Sequence, residues 1–150
     1  MDIPRSGASD GVTIADDAQI HDLLANSHMW FVVGLAENPE RPAYRVAAFL
    51  QSIGKQIVPI HPRAETVHGQ RGFASIAEAA KVHGAPDVVD VFVRADRAGE
   101  FADQAIAANA KAVWFQLEVI DRDAAERVLK AGRMMIMDRC PAIEYPRLFA

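Results

Sequence analysis

Cysteine is almost absent from this chain. The single thiol, Cys140, in 150 residues excludes an internal disulfide framework and any multi-cysteine zinc site. Basic charge is also short: 16 Lys and Arg stand against 20 Asp and Glu, a formal net charge of −4. That balance offers no broad basic face, so nucleic acid is not an expected partner and any anion must be met locally. No apolar run approaches the ~20 residues of a membrane span. The opening "MDIPRSGASDGVT" lacks the basic-then-apolar order of a signal peptide, so no membrane partner is expected and the cytoplasm is the expected location. The histidines, His21, His28, His61, His68 and His83, form no H-x-x-x-H or H-E pattern, so no metal site is expected.

What is present belongs to a folded domain, since 51% of residues are hydrophobic and 24% charged. Residues 1–12 are rich in Gly, Ser, Asp and Pro without periodicity and are expected to form a loose leader, leaving 13–150 as one domain. Five continuous apolar runs follow: "MWFVV" (29–33), "QIVPI" (56–60), "VVDVFV" (88–93), "AVWF" (112–115) and "MMIM" (134–137). Continuous runs fit strands buried on both faces of a parallel sheet.

Helical patterns separate these runs. Asp16 and Gln19 have capping-box spacing before Ile20, Leu23 and Leu24. Val46, Phe49, Leu50 and Ile53 make one helical face that ends at Gly54. Ser75 and Glu78 open another helix, and Ala98, Phe101, Ala102 and Ala105 repeat the spacing. Asp121 and Asp123, then Arg127 and Lys130, then Gly132 match a helix dipole and its terminator. The order is that of an α/β domain with a right-handed, doubly wound parallel sheet of about five strands, helices covering both faces. Ligands of such sheets lie beyond the carboxyl ends of the strands, where the strand order reverses.

That rule selects the loops to read. Gly34 permits a sharp turn after the first strand, so that backbone amides and the next helix N-terminus face an anion. The dinucleotide fingerprint would need glycine at Ala36 and Pro39 as well, which disfavours a nicotinamide cofactor bound in the usual way. Arg41 and Arg45 lie on one face at the helix start, placed either for phosphate or for plain solvation. The second strand ends in His61, Pro62 and Arg63, without the acidic residue that accepts the ribose hydroxyls of NAD. A basic end suits an adenosine with an extra ribose phosphate, as in NADP or coenzyme A. Arg94 follows the third strand and serves a pyrophosphate, or an ion pair with Asp96 or Asp138. Gln116 ends the fourth strand, after Trp114 and Phe115, which read as core. Cys140 precedes Pro141 and is either an N-cap whose thiolate the helix dipole stabilises or a small packed residue. No residue can be assigned as its catalytic base, and no catalytic residue is named.

"VVGLAENPERPAYRVAAFLQSIGKQIVPIHPR", "VVDVFVR", "AKAVWFQLEVI" and "MDRCPAIEYPRL" resemble the small stand-alone CoA-binding proteins, a family similar to the N-terminal CoA-binding domain of succinyl-CoA synthetase α-subunits. The match spans about residues 17–148. The resemblance implies a Rossmann-like fold with CoA or acyl-CoA at the strand carboxyl ends. By position, Gly34, Leu35 and Ala36 would approach the phosphates and Arg41 and Arg45 would flank them. His61, Pro62 and Arg63 would sit near the nucleotide, and Val93, Arg94 and Ala95 would border the CoA arm. Ala36 stands where the family commonly has serine, and Glu118 where glycine is expected. The ligase relatives use further domains for which this chain has no room, so binding without a complete ligase reaction is expected. Two rival readings are a small NADP-dependent oxidoreductase and a protein-interaction subunit with a vestigial pocket. A homodimer is suggested only by the general frequency of symmetric dimers, and no residue of the sequence argues for it.

Overall fold

Each apolar run becomes a strand. The computed structural model describes residues 14–150; the expected leader lies outside the described residues. The strands are β1 (Met29–Val33), β2 (Gln56–Ile60), β3 (Val88–Val91), β4 (Ala112–Phe115) and β5 (Met134–Ile136). They alternate with α1 (Asp17–Asn26), α2 (Pro42–Ser52), α3 (Ile76–His83), α4 (Ala95–Ala107), α5 (Arg122–Lys130) and α6 (Pro141–Leu148). All four strand pairings are parallel, in the order β2-β1-β3-β4-β5. The fold is therefore the expected Rossmann-like α/β sandwich, with its topological switch between β1 and β3.

The period of two along each strand divides the core. Trp30 and Val32 of β1 pack with α1, α2 and α6 residues such as Leu24, Leu50 and Cys140. Phe31 and Val33 point the other way, into a cluster built with α3, α4 and α5 through Ile76, Ala102 and Val128. Both faces are buried, which is why the runs are continuous rather than alternating. Pro59, which has no N–H to give a ladder, is tolerated because β2 is an edge strand; its carbonyl accepts from the Phe73 amide at 2.9 Å.

Local chemistry fixes the helix ends. The Asp16 carboxylate accepts from the Gln19 amide at 2.8 Å and the Gln19 side chain accepts from the Asp16 amide at 2.9 Å, a complete capping box. Ser75 accepts from the Glu78 amide at 3.1 Å, so one half of the expected box forms there. Asp121 caps α5 through the Ala124 amide at 3.0 Å. The Lys55 ammonium donates to the Leu24 and Ser27 carbonyls, occupying acceptors that α1 leaves open at its end. Arg147 of α6 reaches Asp17 of α1 at 2.7 Å and tethers the first helix to the last. No helix among the described residues is long and apolar enough to cross a membrane.

Two runs outlast their strands. β3 stops at Val91 and β5 at Ile136, so Val93 and Met137 lie past the strand ends, while the Phe92 amide makes a last bond to the Val33 carbonyl at 2.9 Å. Phe92 and Val93 turn instead into the crevice beyond the sheet.

Candidate functional site

A cavity of about 560 Å³ opens beyond the carboxyl ends of β1, β2 and β3, beside the switch point. Five stretches of chain supply it, with Ala74 and Ser75 before α3 among them. Gly34 comes from the loop after β1, Arg41 from the N-cap of α2, His61 and Pro62 from the end of β2, and Val93 and Arg94 from the end of β3. Ile60, Phe92 and Phe101 add apolar wall, while Arg97, Glu100 and Gln104 line the α4 side. An apolar cleft with a few convergent polar groups is the usual form of a small-molecule site.

The turn after β1 needs its glycine. Gly34 has φ +93°, and a Cβ there would lie 2.7 Å from the Phe92 carbonyl oxygen. Beyond it the amides of Leu35 and Ala36 have no hydrogen-bond acceptor among the described residues. Leu35 is buried in the α1–α2–α6 core, and neither it nor Ala36 contributes to the cavity wall. Arg41 does; its guanidinium has no ion-pair partner among the described residues. Arg45, one turn along, is exposed and off the wall. Arg94 is a wall residue, yet its Nε also lies 3.2 Å from Asp96 Oδ1, so the ion pair expected as its alternative role is formed. Both side chains are largely exposed, and such pairs contribute little.

The end of β2 gathers charge. Burial first, and the Arg63 and Arg41 charges after it, hold the His61 imidazole below its ordinary range, with Glu65 opposing. Arg63 itself is exposed and off the wall; its backbone amide donates to His61 Nδ1 at 3.2 Å. Sequence reasoning found no acidic residue at this strand end. The fold supplies one, because Glu65 turns back so that Oε1 accepts from the Glu37 amide of the β1 loop at 2.9 Å and Oε2 lies 3.4 Å from Arg63 Nε.

The remaining candidates lie apart from the cavity wall. Ala95 is the first residue of α4. Gln116, at the end of β4, donates to Asp90 Oδ1 at 2.6 Å. Asp90 is fully buried within β3, and its Oδ2 has no partner among the described residues. Burial raises its pKa to about 8, which the Gln116 hydrogen bond only partly offsets. Cys140 is the N-cap of α6 and Pro141 its first residue, as expected, but the sulfur packs in the core. Burial pushes its thiol up, outweighing the opposite pull of the Ala142 and Ile143 amides. The small packed residue is thus the reading that fits Cys140, and the thiolate reading is opposed by its own burial. Trp114 and Phe115 are fully buried, as core residues.

Sequence reasoning missed the α4 wall. Arg97, Phe101 and Gln104 recur at i, i+4 and i+7, a helical stripe that carried the signal, but only Phe101 was read from it and then as core. Among the described residues no group of three or more His, Cys, Asp or Glu side chains is placed to hold a metal ion.

Comparison with known proteins agrees with this fold. The family model described as CoA binding domain matches residues 28–146. The chain is 29% identical over 123 residues to the uncharacterized protein YneT of Bacillus subtilis strain 168, covering 82% of this chain and 89% of that one. Its fold superposes with TM-score 0.83 on a hypothetical protein from Pyrococcus horikoshii OT3, at 31% identity over 97% of this chain and 99% of that chain. A Thermus thermophilus protein superposes with TM-score 0.82 at 26% identity, over 90% and 100% of the two chains.

Proposed function

Because the chain belongs to the CoA binding domain family, we propose that it is a cytoplasmic protein that binds coenzyme A or an acyl-CoA at the β1–β2–β3 edge. The role is that of a sensor, carrier or regulatory module without a complete ligase reaction. The observation that carries this reading is the convergence of Gly34, Arg41, His61 and Arg94 from separate loops on one cavity at the switch point.

The chemistry divides along the ligand. The apolar wall of Ile60, Phe92 and Phe101 suits a purine base. Arg63 and His61 suit the ribose phosphate, whose charge would oppose both the burial that chiefly lowers the His61 pKa and the smaller repulsion from Arg63 and Arg41. The Leu35 and Ala36 amides, the start of α2 and the guanidinium groups of Arg41 and Arg45 suit the pyrophosphate. Val93, Arg94 and Ala95 then border the pantetheine arm, which runs toward Gln116 and Cys140 at the ends of β4 and β5.

Calorimetric titration with CoA and dephospho-CoA tests the reading. Saturable CoA binding, weakened about tenfold or more by loss of the ribose phosphate, is expected from one charge-assisted contact. Arg41→Ala should weaken both ligands, since both carry the pyrophosphate. Absence of saturable binding by either ligand would end the proposal.

A further inference from the structure

We infer that Glu65 is the acceptor for the hydroxyls of the ligand's adenosine ribose, paired with Arg63 so that the site also admits adenosine ligands lacking the ribose phosphate. The inference rests on the nucleotide reading above and extends it to a second class of ligand and to the residue that selects it.

The backbone puts Glu65 where a ribose acceptor is needed. The chain leaves β2 at His61 and reverses through a turn in which the Ala64 amide donates to the His61 carbonyl at 2.8 Å. Ala64 takes φ +50°, a left-handed conformation that alanine enters only when its surroundings require it. Gly72 packs against the outside of this turn, where a Cβ would run into the Glu65 carbonyl oxygen. The result is a carboxylate lying between the loops after β1 and β2. Glu65 stands beside the cavity rather than on its wall, next to the wall residue His61 and at the end of the second strand, from which doubly wound dinucleotide sites take their ribose-binding acid.

The partners of that carboxylate define its chemistry. Oε1 already accepts from the Glu37 amide at 2.9 Å, and Oε2 faces Arg63 Nε at 3.4 Å, a long contact. The Glu37 amide, followed by Arg63, keeps Glu65 ionised, hence an acceptor with lone pairs to spare for two hydroxyls. A ribose phosphate brings further negative charge, which Arg63 attracts and Glu65 repels. The two side chains therefore act with opposite sign on the two ligand forms.

Titration of wild-type, Glu65→Gln and Arg63→Gln proteins with CoA and dephospho-CoA tests the pairing. Glutamine keeps an oxygen for the Glu37 amide, so an unchanged melting temperature checks that the turn survives. Glu65→Gln should weaken dephospho-CoA about tenfold while CoA binds as tightly or more tightly; Arg63→Gln should weaken CoA about tenfold and spare dephospho-CoA. Equal losses for both ligands in Glu65→Gln, or none, would reduce Glu65 to a loop brace and overturn the inference. If the wild type binds NADH and NADPH but neither form of CoA, the CoA proposal falls and the same crossing, read with those two nucleotides, decides Glu65. Binding of none of the four overturns both.

Discussion

At the scale of single residues, the site depends on positions where the backbone leaves no choice. Gly34 combines a left-handed φ of +93° with an approach to the Phe92 carbonyl that a Cβ would bring to 2.7 Å. Gly34→Ala should therefore cost about 1–3 kcal/mol in denaturant unfolding and also weaken CoA, because the β1 loop must shift. A variant that melts like wild type and binds CoA equally would show that the turn is not fixed as described. This glycine was legible in the sequence from its place after an apolar run. Glu118 was legible only as a departure from its family, where glycine is expected; the structure gives the reason, a left-handed φ of +67°. Asp90 was not legible as a buried acid, since a lone Asp in an apolar run says nothing of its pKa. Its carboxyl is raised from 3.8 to about 8. Its folded form thus keeps a proton that the unfolded chain loses near pH 4, so its contribution falls as pH rises from about 4 through about 8. Asp90→Asn keeps an acceptor for Gln116 and removes this slope. Urea unfolding at about pH 5 and about pH 9 should show the variant gaining on wild type by several kcal/mol at the higher pH. A constant difference between the two proteins would mean that Asp90 is ionised throughout.

At the scale of elements, helices and strands were legible because their signals are periodic and local. The Asp16–Gln19 capping box and the Gly54 and Gly132 terminators formed as their spacing predicted, whereas Asp121, expected with Asp123 in the first turn of α5, is its N-cap. Strand ends were less legible: Phe92 and Val93 line the cavity and also pack against the two core clusters, and hydrophobicity does not distinguish a ladder residue from a pocket wall. The Glu65 reversal was invisible, for it needs a left-handed Ala64 and the close approach of Gly72, both of which are tertiary facts. The start of α6 shows a contest between two effects at one element end. A helix N-terminus favours a thiolate at Cys140, yet its thiol is pushed up because burial outweighs the amides. Iodoacetamide labelling at about pH 8 should accordingly be far slower in the native protein than in urea, and CoA disulfide should leave the native thiol largely unmodified. Rapid native labelling, or a mixed disulfide that forms readily and disappears with reductant, would show that the sulfur is presented to the ligand.

At the scale of the whole molecule, the alternation of apolar runs and amphipathic helices implied the doubly wound class, and the structure adds the order β2-β1-β3-β4-β5. That order cannot be read from runs alone, because it depends on which strand edges meet. It matters because it locates the switch between β1 and β3, and so explains why residues 34, 41, 61 and 94 share one cavity although far apart in the chain. It also gathers Arg41, His61 and Arg94 at one sheet edge of a protein of net charge −4, which is the local basic cluster that the proposed anionic ligand requires. The most direct test of the account is calorimetric titration of the reduced protein and its Arg41→Ala variant with CoA and dephospho-CoA. Saturable binding of CoA by the wild type, weaker for dephospho-CoA and about tenfold weaker for both in Arg41→Ala, is the predicted result. Absence of saturable binding, or binding that Arg41→Ala leaves unchanged, would contradict it.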